Sequence, residues 1–514
     1  MDSGTRQQTE PRYTSVDMSA EEFRTVGHRL VDEIATFLQS IPGRPVTPVV
    51  SPERLQAMLR ELGLDGMPEH GTPAAQLFRE TTDLIFENSL LSAHPRFWGY
   101  INASGTPIGA LADFLAAAVN PNTGGWILAP IASEIERQTV RWIAELIGYP
   151  PDTGGLLVSG GNMANFVPFL VARRAKADWL LGSAGVRAGR QLRVYGSSET
   201  HTWIHKAADL FGLGTDSIRW IPAGNDLRMN TDELRLQIER DKGNGDLPFL
   251  VVGQAGSVST GAIDPLREIA AICRQYDLWF HVDGAYGAVA AALPDASDDL
   301  RALSEADSVA VDPHKWLYAP LEAGCALVRN QNLLLETFSH RPPYYHFHAG
   351  ADQSINYFEY GMQNSRSFRA LKVWLGLRQA GRDGYRRMFS GNIEVAKTLY
   401  RAAEAHPELE SFTLSLSIST FRYLPPDLRD RRDSAPVSDY LNKLNIELLN
   451  RIQRGGEAFL TNAVIRERFV LRACVVNFHS TPADAEAVAE IVVRVGREVD
   501  GELRPADLRS SAGH

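Results

Sequence analysis

From about residue 130 to residue 330 the chain alternates short apolar runs with helical segments, and no other feature limits its fold as strongly. Seven runs have strand length and strand composition: GLLVSG (155–160), LRVYGS (192–197), SIRWIP (217–222), FLVVGQ (249–254), LWFHVD (278–283), SVAVDP (308–313) and CALVRN (325–330). Helical segments such as PLREIAAICRQY (265–276) fill several of the gaps. Strands that alternate with helices predict an α/β domain with a largely parallel sheet and crossover helices. The helical segment 129–149 also carries Ser133 and Glu136 at capping-box spacing.

The flanks read differently. Residues 20–41 place Phe23, Val26, Leu30, Ile34, Phe37 and Leu38 on one helical stripe, and two further helices are expected from Ser51 and over 75–91. Beyond residue 385, a helix at 391–406, strands at 413–424 and 468–478 and a helix at 483–499 predict a small α+β domain. The expected division is an N-terminal helical segment (1–100), a large α/β domain (101–385) and a small C-terminal α+β domain (386–514). A chain of 514 residues fits more than one domain.

Composition removes several function classes. The formal net charge is −10, which gives nucleic-acid binding no support. No apolar run approaches a membrane span, and the polar N-terminus resembles no signal peptide. Cys273, Cys325 and Cys474 are odd in number and widely spaced, which argues against a disulfide framework and for a reducing cytoplasm.

Open α/β sheets bind ligands beyond the C-terminal ends of their strands, so the residues following each run are the candidates. Gly161 and Asn162 follow the first run at a strand-to-helix turn. Such a turn suits a phosphate, because glycine lets backbone N–H groups approach an anion and the helix start favours negative charge, but it equally suits a plain glycine turn. His201 follows the second run and reads, by itself, as a loop histidine. His281 and Asp283 share one face of the fifth run. They fit either a carboxylate for a protonated ring nitrogen, with Ala285 leaving room for a planar cofactor, or half of an iron site in a metal-dependent oxygenase. Lys315, in DPHKWL, follows the sixth run, and an amine forced out of water is expected to lose basicity. A phosphate seat, a flat surface, a buried carboxylate and a lysine in that order suit pyridoxal 5'-phosphate (PLP), whose aldehyde reacts with an amine and whose ring nitrogen needs an acidic partner.

The segments VSGGNMAN, SSETHTWIHKAADLFGLG, HVDGAYG, DPHKWL and NSRSFRALKVW occur in the order seen in the group II PLP-dependent amino-acid decarboxylases. The chain resembles the branch that contains the aromatic L-amino-acid decarboxylases, over residues 20 to 500. The resemblance implies fold type I of the PLP enzymes, a homodimer with active sites at the interface, and conversion of an L-amino acid, aromatic in this branch, to an amine and CO₂. It implies that Lys315 condenses with the cofactor, Asp283 pairs with its ring nitrogen, Ala285 packs on one ring face and His201 on the other. Gly161, Asn162 and His314 match phosphate neighbours, and Ser257 matches a residue beside the cofactor. A loop tyrosine returns the proton to Cα in this family. Tyr344 is the match here, with Tyr345 second, and a tyrosine rather than phenylalanine favours the decarboxylase over the aldehyde-synthase outcome. His340, His346 and His348 on that loop read as polar lid residues, with no metal site.

Phe97 and Trp98 match the substrate-pocket segment and read as pocket or as core. Asn122 and Gly124 stand where aromatic decarboxylases carry bulky apolar residues, so the pocket is expected to be wider or more polar. Asp312 replaces a common asparagine and is expected to brace His314 or its turn. Ser365 and Arg366 are expected to reach a phosphate or carboxylate from the partner chain.

Overall fold

The computed structural model describes residues 14–340 and 354–509. The chain separates into two compact units. Residues up to Leu91, with Arg454–Gly456, form one; Ser92–Gln453, with the residues from Glu457 on, form the other.

The first unit holds helices Ala20–Ser40, Pro52–Glu61 and Ala74–Asn88. Ser19 and Ser51 cap the first two through their side chains, each accepting a backbone N–H. Phe37 stacks on Phe86 at 4.1 Å. Of the six residues on the expected stripe only Val26 is buried, and Phe23, Ile34 and Leu38 remain exposed.

The second unit is built on two sheets. Strands β1 (Gly154–Val158), β2 (Leu192–Ser197), β3 (Ile218–Ile221), β4 (Leu247–Gln254), β5 (Trp279–Asp283), β6 (Ser308–Val311) and β7 (Gly324–Val328) lie in the order β1-β7-β6-β5-β4-β2-β3. All seven expected runs are strands. Neighbours pair in parallel except β7, which is antiparallel to both β1 and β6. The C-terminal ends of β1, β2, β4, β5 and β6 therefore reach the same edge.

The runs are apolar throughout because both faces of this sheet are covered. Leu156, Val194, Leu250, Val252, Trp279 and Ala310 enter one core. Leu157, Tyr195, Val251, Phe280, Val282 and Val309 enter the other. The helix Gly161–Lys176 belongs to the first core and the helices Pro130–Leu146 and Leu266–Tyr276 to the second.

The second sheet is antiparallel, with β8 (Leu409–Ser415), β9 (Ile418–Tyr423), β10 (Thr461–Ile465) and β11 (Arg468–Cys474) in the order β10-β11-β9-β8. The helices Ala435–Gly455 and Pro482–Leu503 share its core with Phe421, Tyr423 and Leu471. The segment 413–424, expected as one strand, is instead a hairpin. Leu416 takes a positive φ of 51° at the turn, and Ser417 is drawn to Tyr286, whose hydroxyl lies 2.6 Å from its Oγ. The expected capping box is also absent. The helix starts at Pro130, capped by Ala129, and Glu136 turns inward to Arg366.

Candidate active site

Five strand ends and the second sheet enclose a cavity of about 760 Å³, lined by Gly161, Asn162, His201, Asp283, Ala285, His314 and Lys315. The sequence separates these residues by up to half of the large domain; the shared edge of the sheet brings them together.

Gly160 precedes the helix with φ at +85°, a conformation glycine adopts without strain. A Cβ on Gly161 would run into the Asp312 carboxylate, so a side chain there would have to push that carboxylate aside. Gly160 makes no side-chain cap, and the first turn of the helix carries no acidic residue. The helix start is thus open to an outside anion.

Asp283 ends β5 and is held from two sides. Its Oδ2 accepts the Trp203 indole N–H at 2.8 Å, and its Oδ1 accepts the Ala285 N–H at 3.2 Å. His281 lies deeper. Its Nε2 is 2.8 Å from the Asn165 Oδ1, and its Nδ1 is 2.9 Å from the Ser308 Oγ, which itself accepts the Trp279 indole N–H. Asn165 Nδ2 donates to the Gly161 carbonyl, which orients its Oδ1 toward the ring. The network therefore requires a proton on Nε2. Burial pushes His281 down to about 4, against the pull of Asp283. Both ring nitrogens are committed within the fold, which leaves none for the iron site that the sequence allowed.

His201 accepts the Trp203 N–H on Nδ1 at 3.2 Å. Burial lowers its pKa and Asp283 opposes this only in part. His314 Nδ1 lies 2.8 Å from the Ala323 carbonyl.

Lys315 departs from expectation. Burial does pull its pKa down, but Asp312 and Asp283 together outweigh burial and leave it above the ordinary lysine value. The Lys315 Nζ lies 3.0 Å from the Asp312 carboxylate, whereas His314 stands 4.0 Å from it. Asp312 thus braces the lysine rather than the histidine.

Other residues lie elsewhere. Ser257 is buried, pairs with Thr260 at 3.1 Å and does not line the cavity. Trp98 is fully buried in the core of the second sheet and donates to Ser480. The Asn122 amide oxygen accepts the N–H groups of Gly124 and Arg366. Arg366 does not reach outward: it is buried against Glu136 and donates to the Thr123 and Leu157 carbonyls. Tyr344 and Tyr345, with His346 and His348, lie outside the described residues.

Sequence reasoning passed over Trp203, Asn165 and Arg472. The first follows His201 by two residues and carried a signal as an aromatic next to a site histidine. The other two carried none. Arg472, on β11, lines the cavity, is almost fully buried and donates through Nη1 to Tyr100 and Thr461, while its Nε and Nη2 make no well-aligned hydrogen bond among the described residues.

These residues fit PLP. The open helix start and the Gly161 cradle suit its phosphate, Ala285 leaves a flat face, Asp283 offers an acceptor for its ring nitrogen, and the Lys315 amine faces the same space.

Residues 56–420 match the family described as the pyridoxal-dependent decarboxylase conserved domain. An aromatic-L-amino-acid decarboxylase of Bacillus atrophaeus is 32% identical over 94% of this chain and 96% of its own length. A phenylacetaldehyde synthase of a Rosa hybrid cultivar is 28% identical, covering 89% of this chain and 90% of that protein. Among solved structures, Oryza sativa TDC with PLP and tryptamine superposes with a TM-score of 0.86 at 25% identity, covering 95% of this chain and 99% of that one.

Proposed function

The chain belongs to the pyridoxal-dependent decarboxylase family and is a PLP-dependent amino-acid decarboxylase, and from that premise we propose that it converts an aromatic L-amino acid to its amine and CO₂ as a cytoplasmic homodimer. The observation that carries the reading is the meeting of Lys315, Asp283, His201 and the open Gly161 turn in one cavity. Tyr100, Ile101 and Phe469 on its walls suit an aromatic side chain. Relatives named as aromatic-amino-acid, tryptophan and tyrosine decarboxylases support the same substrate class.

Each residue has a role in this reading. When bound, PLP supplies an aldehyde for an amine and a ring that accepts electrons. Lys315 provides the amine that tethers it. Asp283, fixed by Trp203, keeps a proton on the ring nitrogen. His201 and Ala285 confine the ring from its two faces. Gly161, Asn162 and His314 hold the phosphate, largely through backbone N–H groups. Arg472, on the cavity wall, places a positive charge where it attracts the amino acid's carboxylate and so orients the bond to be broken. Tyr344 returns the proton to Cα. Three buried, unpaired cysteines suit a reducing compartment. Among the described residues no helix is long and apolar enough to cross a membrane.

The aldehyde synthases among the relatives favour one alternative, loss of CO₂ with oxidative deamination. PLP-loaded protein incubated with carboxyl-labelled L-amino acids separates the two. Labelled CO₂ with the matching amine is the expected result. Labelled CO₂ with aldehyde and peroxide would transfer the chain to the synthases, and Lys315→Ala is expected to abolish both turnover and the absorbance band of the lysine-linked cofactor.

A further inference from the structure

We propose that Asp312 restrains cofactor capture: its carboxylate fills the anion seat at the start of the helix Gly161–Lys176 and holds the Lys315 amine there until a phosphate ester displaces it. The inference rests on the PLP-binding reading and concerns how the site becomes loaded.

Asp312 is the first residue beyond β6 and is 1% exposed. A carboxylate buried to that degree is costly unless it is paired. Among the described residues its closest charge is Lys315 at 3.0 Å, and neither of its oxygens accepts a well-aligned hydrogen bond. The Lys315 ammonium holds it and no backbone N–H does among the described residues, so a competing anion at the helix start can take its place. Its oxygen lies close enough to Gly161 to exclude a Cβ there, which places it against the first residue of a 16-residue helix. That end of a helix attracts anions. No capping side chain and no acidic residue of the first turn competes for it. The chain therefore brings its own anion to the seat that suits a phosphate.

Two effects follow, both of one sign. An incoming phosphate meets a like charge, which weakens its binding at short range in a partly desolvated site. Lys315, with a counter-ion beside it, keeps its proton, and an ammonium has no lone pair with which to attack the cofactor aldehyde. Asp312 thus slows loading while keeping the empty site's lysine correctly placed. A neutral residue of the same shape removes both effects.

The test uses apoenzyme of the wild type, Asp312→Asn and Asp312→Ser, with folding verified by circular dichroism. Inorganic phosphate is titrated by calorimetry, and PLP capture is followed by stopped-flow absorbance from neutral to alkaline pH. Both variants are expected to bind phosphate about tenfold tighter, as for loss of one like charge at close range. They are also expected to capture PLP faster at neutral pH, with the pH dependence of capture displaced to lower pH. The displacement isolates Asp312, because Asp283 on β5, Cys474 on β11, His314 and His201 still surround the amine. A merely structural aspartate would leave that pH profile in place. Phosphate binding that is unchanged or weaker in both variants would overturn the proposal and make Asp312 a proton donor to the phosphate or an inert brace. Failure of the wild type to capture PLP at all would instead strike the cofactor reading itself.

Discussion

Asp283 shows how a site residue depends on a neighbour that does no chemistry. Among the described residues its Oδ2 accepts only the Trp203 indole N–H, so removing that donor leaves the carboxylate held through Oδ1 and the longer Ala285 bond. A hydrogen bond to a charged group contributes roughly 1.5–3 kcal/mol. Trp203→Phe keeps the ring and deletes the donor; steady-state turnover is expected to fall by at least about tenfold, while urea unfolding shows a folded protein. His281 sets a pH limit on stability. Its folded-state pKa, pushed by burial to about 4, lies below the ordinary 6.5. The unfolded chain therefore binds a proton that the folded one refuses, and the neutral ring's contribution is complete above pH 6.5 and is lost as pH falls toward 4. The shift corresponds to roughly 3 kcal/mol at most. Urea unfolding followed from neutral to acid pH should show this decline, and His281→Gln should flatten it.

At the level of elements, the buried Glu136–Arg366 pair joins three pieces of chain. Glu136 projects from the helix Pro130–Leu146 and accepts the Leu157 N–H of β1 at 2.8 Å. Arg366 lies just before the helix that starts at Ala370 and stacks over Tyr357 at 4.7 Å. The spacing of Ser133 and Glu136 had a plausible local meaning, a cap, and the helix overrode it by starting at Pro130. Glu136→Gln leaves a buried guanidinium without its counter-charge and should destabilise the fold by about 3–5 kcal/mol. A lower urea midpoint at unchanged slope is the expected signature. The β8–β9 hairpin teaches the same lesson. TLSLSISTFRYL contains no glycine, proline or asparagine to mark a turn, and the contact that bends it, Tyr286 to Ser417, spans more than a hundred residues of sequence.

On the scale of the whole molecule, the helix Pro107–Val119 exposes Leu111, Leu115 and Val119, and the chain just beyond it exposes Ile127, Leu128 and Ile131. An apolar patch of this size marks a surface that suits a partner. The homodimer proposed above covers such a face. Analytical ultracentrifugation should find the wild type dimeric and the double variant Leu111→Asp, Leu115→Asp monomeric; a wild-type monomer would remove the dimer. What the sequence determined by itself was the α/β alternation, all seven strands of the large sheet, and the residues that line the cavity beyond β1, β2, β5 and β6. These are legible because strand period and strand-end position are local properties, and because an α/β sheet collects its strand ends at one edge. Only the tertiary structure decided which carboxylate Lys315 meets, that its basicity rises rather than falls, that Ser257 and Trp98 turn away from the cavity, and that Arg472 enters it. Each of these depends on contacts or fields between segments distant in the chain, for which local sequence pattern carries no term.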